Sequence, residues 1–136
     1  MAIISYISQV NWIPVIISTI LSFVLGALWH QPFLFGKAWA MEISSTHEKS
    51  KSHYGMVFGL SAILHFIAAA SLSALIGRQS NAIDGLLTGL IVSIVFVSTT
   101  IGVTYIFAAR SFKLFLIDAG FYIVFFSIAG LIIGLW

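Results

Sequence analysis

The sequence has no cysteine, and charged residues make up only 7% of its 136 positions. The absence of cysteine excludes a disulfide frame and any thiolate metal site. A soluble domain carries about 25% charged residues. This chain is 60% hydrophobic with a mean hydropathy of +1.11, so it has too little polar surface to face water and belongs in a lipid bilayer. Six Lys and Arg against four Asp and Glu leave no basic patch, which argues against nucleic acid as a partner. No Lys or Arg precedes the first apolar run, and no charged side chain occurs before Lys37. A secretory signal needs a basic start and a shorter core, so the first run reads as a retained span.

What is there is apolar length. Four segments, about 12–35, 54–77, 83–108 and 114–136, are each long enough for a hydrocarbon core that takes ~20 helical residues. Strand edges would leave amides unpaired in lipid, so the spans must be helices. Short connections predict one domain over 1–136: an all-α membrane protein, an antiparallel bundle of four transmembrane helices. The one sizeable loop runs from Gly36 to His53, and Thr46 is placed there to cap a short surface helix. Lys37, Lys49, Lys51, Arg110 and Lys113 fall on one side of the bundle and Arg78 alone on the other. The positive side stays in the cytoplasm, so both termini are expected to face outward, with Trp39 and Tyr54 in the inner aromatic belt.

Small and polar residues recur at four-residue spacing, which aligns them on one helix face. The ridges are Asn11, Ser18, Ser22, Gly26 and His30; Ser61, His65, Ala69, Ser73 and Gly77; Gly85, Gly89, Ser93, Thr100 and Thr104; and Gly120, Ser127, Gly130 and Gly134. Such ridges let helix backbones approach closely in lipid. Their plain reading is packing, and their sharper reading is a water path.

Between Leu114 and Trp136 the only charge is Asp118, the one carboxylate inside a hydrophobic run. An ionised carboxylate there must be paired or wetted. Asp118 lies about 200° around the helix from Gly120 and shares its face with Tyr122 and Phe125. Two opposed working faces on one helix predict a homo-oligomer, with Asp118 at a subunit boundary. His30, Thr104 and Tyr105 lie at a similar depth, and the candidate pairing partners are Arg110 and His30. His65 lies near mid-membrane, level with Thr99 and Thr100. It reads either as a neutral imidazole bonded to a neighbouring helix or as a step in a proton relay. Proline ends the helical ladder in Trp29-His30-Gln31-Pro32. The His and carboxylate spacings hold no metal set and call for no cofactor. No nucleophile elbow and no phosphate loop is present, so no enzyme is expected.

Gly26-Ala27-Leu28-Trp29, Pro32 and Phe35-Gly36-Lys37-Ala38-Trp39 resemble the first span of a bacterial membrane family, domain-of-unknown-function family 1761. Leu114-Phe115-Leu116-Ile117-Asp118-Ala119-Gly120, with Ala129-Gly130 and Gly134-Leu135-Trp136, is similar to that family's last span. His30 stands where such sequences usually carry a second aromatic. The resemblance implies a four-span protein of the bacterial inner membrane and no particular activity.

Two functions fit these observations. One is a small oligomeric channel or transporter for protons, small ions or another small molecule, with Asp118, His65, His30, Thr99, Thr100, Thr104 and Tyr122 as candidate polar groups. The other is a non-transporting accessory or structural membrane protein.

Overall fold

The computed structural model describes residues 2–44 and 54–136, and no strand occurs among them. The surface helix expected after Thr46, with His47, Glu48, Lys49, Lys51 and His53, lies outside the described residues. A short helix α1 (Ala2–Ser8) precedes α2 (Trp12–Trp29), followed by α3 (Gly36–Ser44) and α4 (Tyr54–Ile76). The third apolar segment is one continuous rod: α5 (Ala82–Ile91), a π-helical stretch (Val92–Ser98) and α6 (Thr99–Phe107). The last helix is α7 (Phe112–Leu135). Among the described residues four units are long and apolar enough to cross a membrane: Trp12–Trp29, Tyr54–Ile76, Ala82–Phe107 and Phe112–Leu135. They alternate in direction, as expected. The first span is shorter than 12–35, because the chain turns back at Pro32. Phe35 N–H reaches Trp29 O at 3.2 Å and Gly36 N–H reaches Gln31 O at 3.0 Å. The stretch read as a loop instead opens with α3, built from Lys37, Ala38, Ala40, Met41 and Glu42, all good helix formers.

α7 is the hub. Of its span 44% is buried, against 22% or less for the other three, and it packs on α2, α3, α4 and the whole α5–α6 rod. The α5–α7 crossing is glycine on glycine. A Cβ on Gly85 would stand 2.1 Å from Gly130 O, and one on Gly89 would stand 2.0 Å from Phe126 O. Backbone thus rests on backbone, the contact that small-xxx-small ridges permit in lipid. The expected ridges hold here for Gly85, Gly89, Ser93, Gly130 and Gly134, whereas Gly120 faces Trp29 of α2. Above this crossing Leu72, Phe125, Phe126, Ala129 and Ile133 form a dry core. Both faces of α7, the ground for expecting a second copy, are therefore covered within one chain.

The end that carries Trp12 and Trp136 is closed by polar ties. Pro14 has no N–H, so Val10 O lacks its helical partner, and Arg78 Nη2 donates to it at 3.2 Å. Asn11 N–H donates to Ser73 Oγ at 3.0 Å. The antiparallel order gathers Lys37, Arg110 and Lys113 at the opposite end, which we call the α3 end, and leaves Arg78 here.

The π stretch corrects one expectation. Ser93 and Ser98 are both buried, and Ser98 Oγ donates to Ser93 O five residues back at 2.8 Å. One extra residue in a turn rotates everything after it by about 100°. Thr99, Thr100 and Thr104 consequently face outward, their hydroxyls bonded to Val95, Phe96 and Thr100 carbonyls of their own helix. Val97, Ile101 and Tyr105 take the inward positions instead.

Candidate functional site

Three pieces of chain meet around Asp118. The first is the α2–α3 turn. Gly36 sits so close to the end of α2 that a Cβ there would stand 2.1 Å from His30 O. This tight return lays α3 across the α3 end of α7, with the Trp39 ring edge-on to His30 at 5.0 Å. Trp39 Nε1 donates to Asp118 Oδ1 at 3.2 Å. The second piece is α6, from which the Tyr105 hydroxyl donates to Asp118 Oδ2. The third is α7 itself. Ser111 caps it, accepting from Leu114 N–H at 3.1 Å and donating to Glu42 of α3. Trp29 Nε1 donates to Ile117 O at 3.1 Å, which pins α2 to the backbone beside Asp118.

Each carboxylate oxygen of Asp118 thus holds one neutral donor. Bonds to a charged acceptor are about twice as strong as neutral ones, and they offset part of the ~2.5–3.5 kcal/mol that an Asp costs at the centre of a membrane helix. They add no compensating charge. Neither candidate partner, Arg110 or His30, is bonded to Asp118, whose partners are Trp39 and Tyr105. Arg110 is turned elsewhere. It lines an adjoining cavity of about 290 Å³ between α6 and the start of α7, with Ser111, Phe112 and Phe115, which shares Tyr105 with the groove at Asp118. The tight end of α6 sends it there: Ala109 adopts a left-handed φ of 51°, and Arg110 N–H closes onto Tyr105 O at 2.9 Å.

Asp118 opens onto a groove of about 630 Å³. Its floor is Asp118, Phe121 and Tyr122 of α7; one wall is His30, Trp39 and Ile43, and the other is Val97, Ile101 and Tyr105. The structure therefore brings Asp118, His30 and Tyr122 together. A smaller cavity of about 160 Å³ continues the groove toward mid-membrane, sharing Val97 and Tyr122 and reaching His65. His65 sits among Phe23, Phe121, Tyr122 and Phe125, with ring centroids 5.3–6.5 Å away. Its Nδ1 faces Ser61 O at 2.8 Å. A carbonyl only accepts, so Nδ1 carries a proton, and Nε2 is buried without a hydrogen-bond partner. The exposed His30 makes the same kind of local bond, its Nδ1 donating to Gly26 O at 2.9 Å. Beyond Phe125 and Phe126 the dry core ends the path. No group of three His, Asp or Glu among the described residues could hold a metal ion.

Trp39 and Tyr105 are the site residues that sequence reasoning undervalued. Trp39 reads as one more belt tryptophan, since nothing in the sequence shows that α3 folds over α7. Tyr105 falls in line with Val97 and Ile101 only once the π stretch is known; the five-residue spacing of Ser93 and Ser98 is its sole trace.

No curated protein and no solved structure matches the chain. The family described as "Protein of unknown function (DUF1761)" matches residues 13–134, and the chain belongs to it.

Proposed function

We propose that this membrane protein binds and moves a cation, a proton or a small ion, at Asp118. One observation carries the reading: a carboxylate on a membrane-length helix is held by two neutral donors, Trp39 and Tyr105, at the floor of a groove. Ionisable groups inside spans are costly and commonly mark ion or substrate pathways. Tyr122 and His65 continue the polar line inward, and the dry core stops it. The described arrangement thus suits a site reached from the α3 end and closed toward the other, the state a transporter adopts on one side of its cycle. Passage takes a second packing of α7 against the core. The charge bias of Lys37, Arg110 and Lys113 against Arg78 supports a cytoplasmic α3 end and outward termini in a bacterial inner membrane. The homo-oligomer belongs to the same proposal. It is supported by Gly55 and Gly59 of α4, a small-xxx-small pair whose Cβ positions meet nothing within 4 Å. No enzymatic step, cofactor or nucleic acid enters the reading.

The accessory role is the second reading, and the same two bonds favour it, since they also clamp α3 and α6 onto α7. Proteoliposomes separate the two. Wild-type protein should dissipate an imposed proton or sodium gradient, and Asp118→Asn should assemble normally yet carry no flux. A silent wild type leaves the accessory reading standing, and an Asp118→Asn variant with full flux removes Asp118 as the site of transport.

A further inference from the structure

The groove has more aromatic surface than a bare ion needs and fewer oxygens. Trp39, Tyr105, Phe121 and Tyr122 surround one carboxylate in a space of about 630 Å³, a volume within the range of pockets for drug-sized molecules. A small inorganic cation must exchange its hydration shell for several oxygens. Among the described residues Asp118 is the groove's only carboxylate, and the oxygens beside it are the hydroxyls of Tyr105 and Tyr122. A dehydrated organic cation needs the reverse: ring faces for its diffuse charge and apolar body, and one anion to balance it.

We propose that the ligand of this groove is a monovalent organic cation of the quaternary or tertiary ammonium class carrying an apolar or aromatic body. The proposal rests on the reading of Asp118 as a cation site and names what the cation is. Three features support it. The donors on Asp118 are neutral, so its charge remains for the ligand. Each oxygen spends one lone pair on Trp39 or Tyr105 and keeps another. The one nearby guanidinium, that of Arg110, makes no bond to Asp118 and lines the adjoining cavity, which shares Tyr105 with the groove. The rings also bracket the carboxylate from two walls and the floor. Trp39 comes from α3, Tyr105 from α6, and Phe121 and Tyr122 from α7, the last two edge-to-face at 5.2 Å. A ligand seated there touches three helices at once.

The test is equilibrium binding of radiolabelled phenyltrimethylammonium to the full chain in lipid nanodiscs, with empty nanodiscs as blank and tert-butylbenzene, its uncharged isostere, as competitor. Displaceable binding is expected, with the isostere at least tenfold weaker. Asp118→Asn should lose at least tenfold in affinity, and Tyr122→Leu should lose severalfold. Equal competition by tert-butylbenzene overturns the proposal, because the groove then reads apolarity alone. Undiminished affinity in Tyr122→Leu overturns it too, and that variant decides the matter if Asp118→Asn does not assemble. If the wild type binds no phenyltrimethylammonium but shows Asp118-dependent proton or sodium flux, the organic ligand is wrong and the cation site stands. If it shows neither, both fall.

Discussion

Trp39 Nε1 donates to Asp118 Oδ1 at 3.2 Å, joining residues 79 positions apart. With Tyr105 on the other oxygen, Asp118 ties α3 and α6 to α7. Asp118→Leu strips both donors of their acceptor. Hydrogen bonds between membrane helices are worth ~0.6 kcal/mol on average and up to ~1.7, so this variant should lose about 1–3 kcal/mol of unfolding free energy in bicelles. Asp118→Asn keeps a carbonyl for the indole and an amide that can donate to the Tyr105 oxygen, and should lose less than about 1 kcal/mol. Equal losses in the two variants would show that the bonds do not hold the helices.

The glycines divide into two kinds. At Gly85 and Gly130 a methyl group would meet backbone at 2.1 Å, so Gly85→Ala or Gly130→Ala must push α5 off α7. Overpacking of this sort costs about 1–3 kcal/mol, and thermal unfolding should show it. Gly59→Ala meets open space and gains helix propensity. Its monomer stability should hold or rise, while the proposed α4-mediated oligomer should weaken when mass is measured in nanodiscs. A protein that stays monomeric in detergent and in nanodiscs removes the oligomer.

Much of the fold was legible because lipid imposes few choices. Spans, antiparallel order and the Gly85–Gly89 and Gly130–Gly134 ridges follow from length and four-residue spacing. The site was legible at Asp118, His30, His65 and Tyr122, whose polarity stands out against an apolar background. It was not legible at Thr99, Thr100 and Thr104, because a π stretch inserts one residue in the ridge without changing its composition. Arg110 misled for a related reason. Proximity in sequence to Asp118 says nothing about the left-handed residue before it, which turns the guanidinium toward another cavity.

That left-handed residue is Ala109, at φ 51°. A side chain there costs about 1–2 kcal/mol that glycine avoids. Ala109→Gly should therefore raise the unfolding free energy by about 1 kcal/mol without altering ligand binding. A drop in stability would mean that the turn is not held as described.

Orientation is tested by a fluorescent reporter that matures only in the cytoplasm. Fused after Trp136 it should stay dark, and fused into the segment between α3 and α4 it should shine. The reverse pattern places the Asp118 groove on the outer side and overturns the charge-bias argument.

The central claim is that Asp118 is a reachable cation site and not merely a pin between helices. Its most direct test is the rate at which a lipid-soluble carbodiimide modifies Asp118 in vesicles, read by mass spectrometry of the 114–136 peptide, with and without saturating phenyltrimethylammonium. The account predicts an adduct on Asp118 whose formation the cation slows at least tenfold. No adduct, or a rate the cation leaves unchanged, contradicts it.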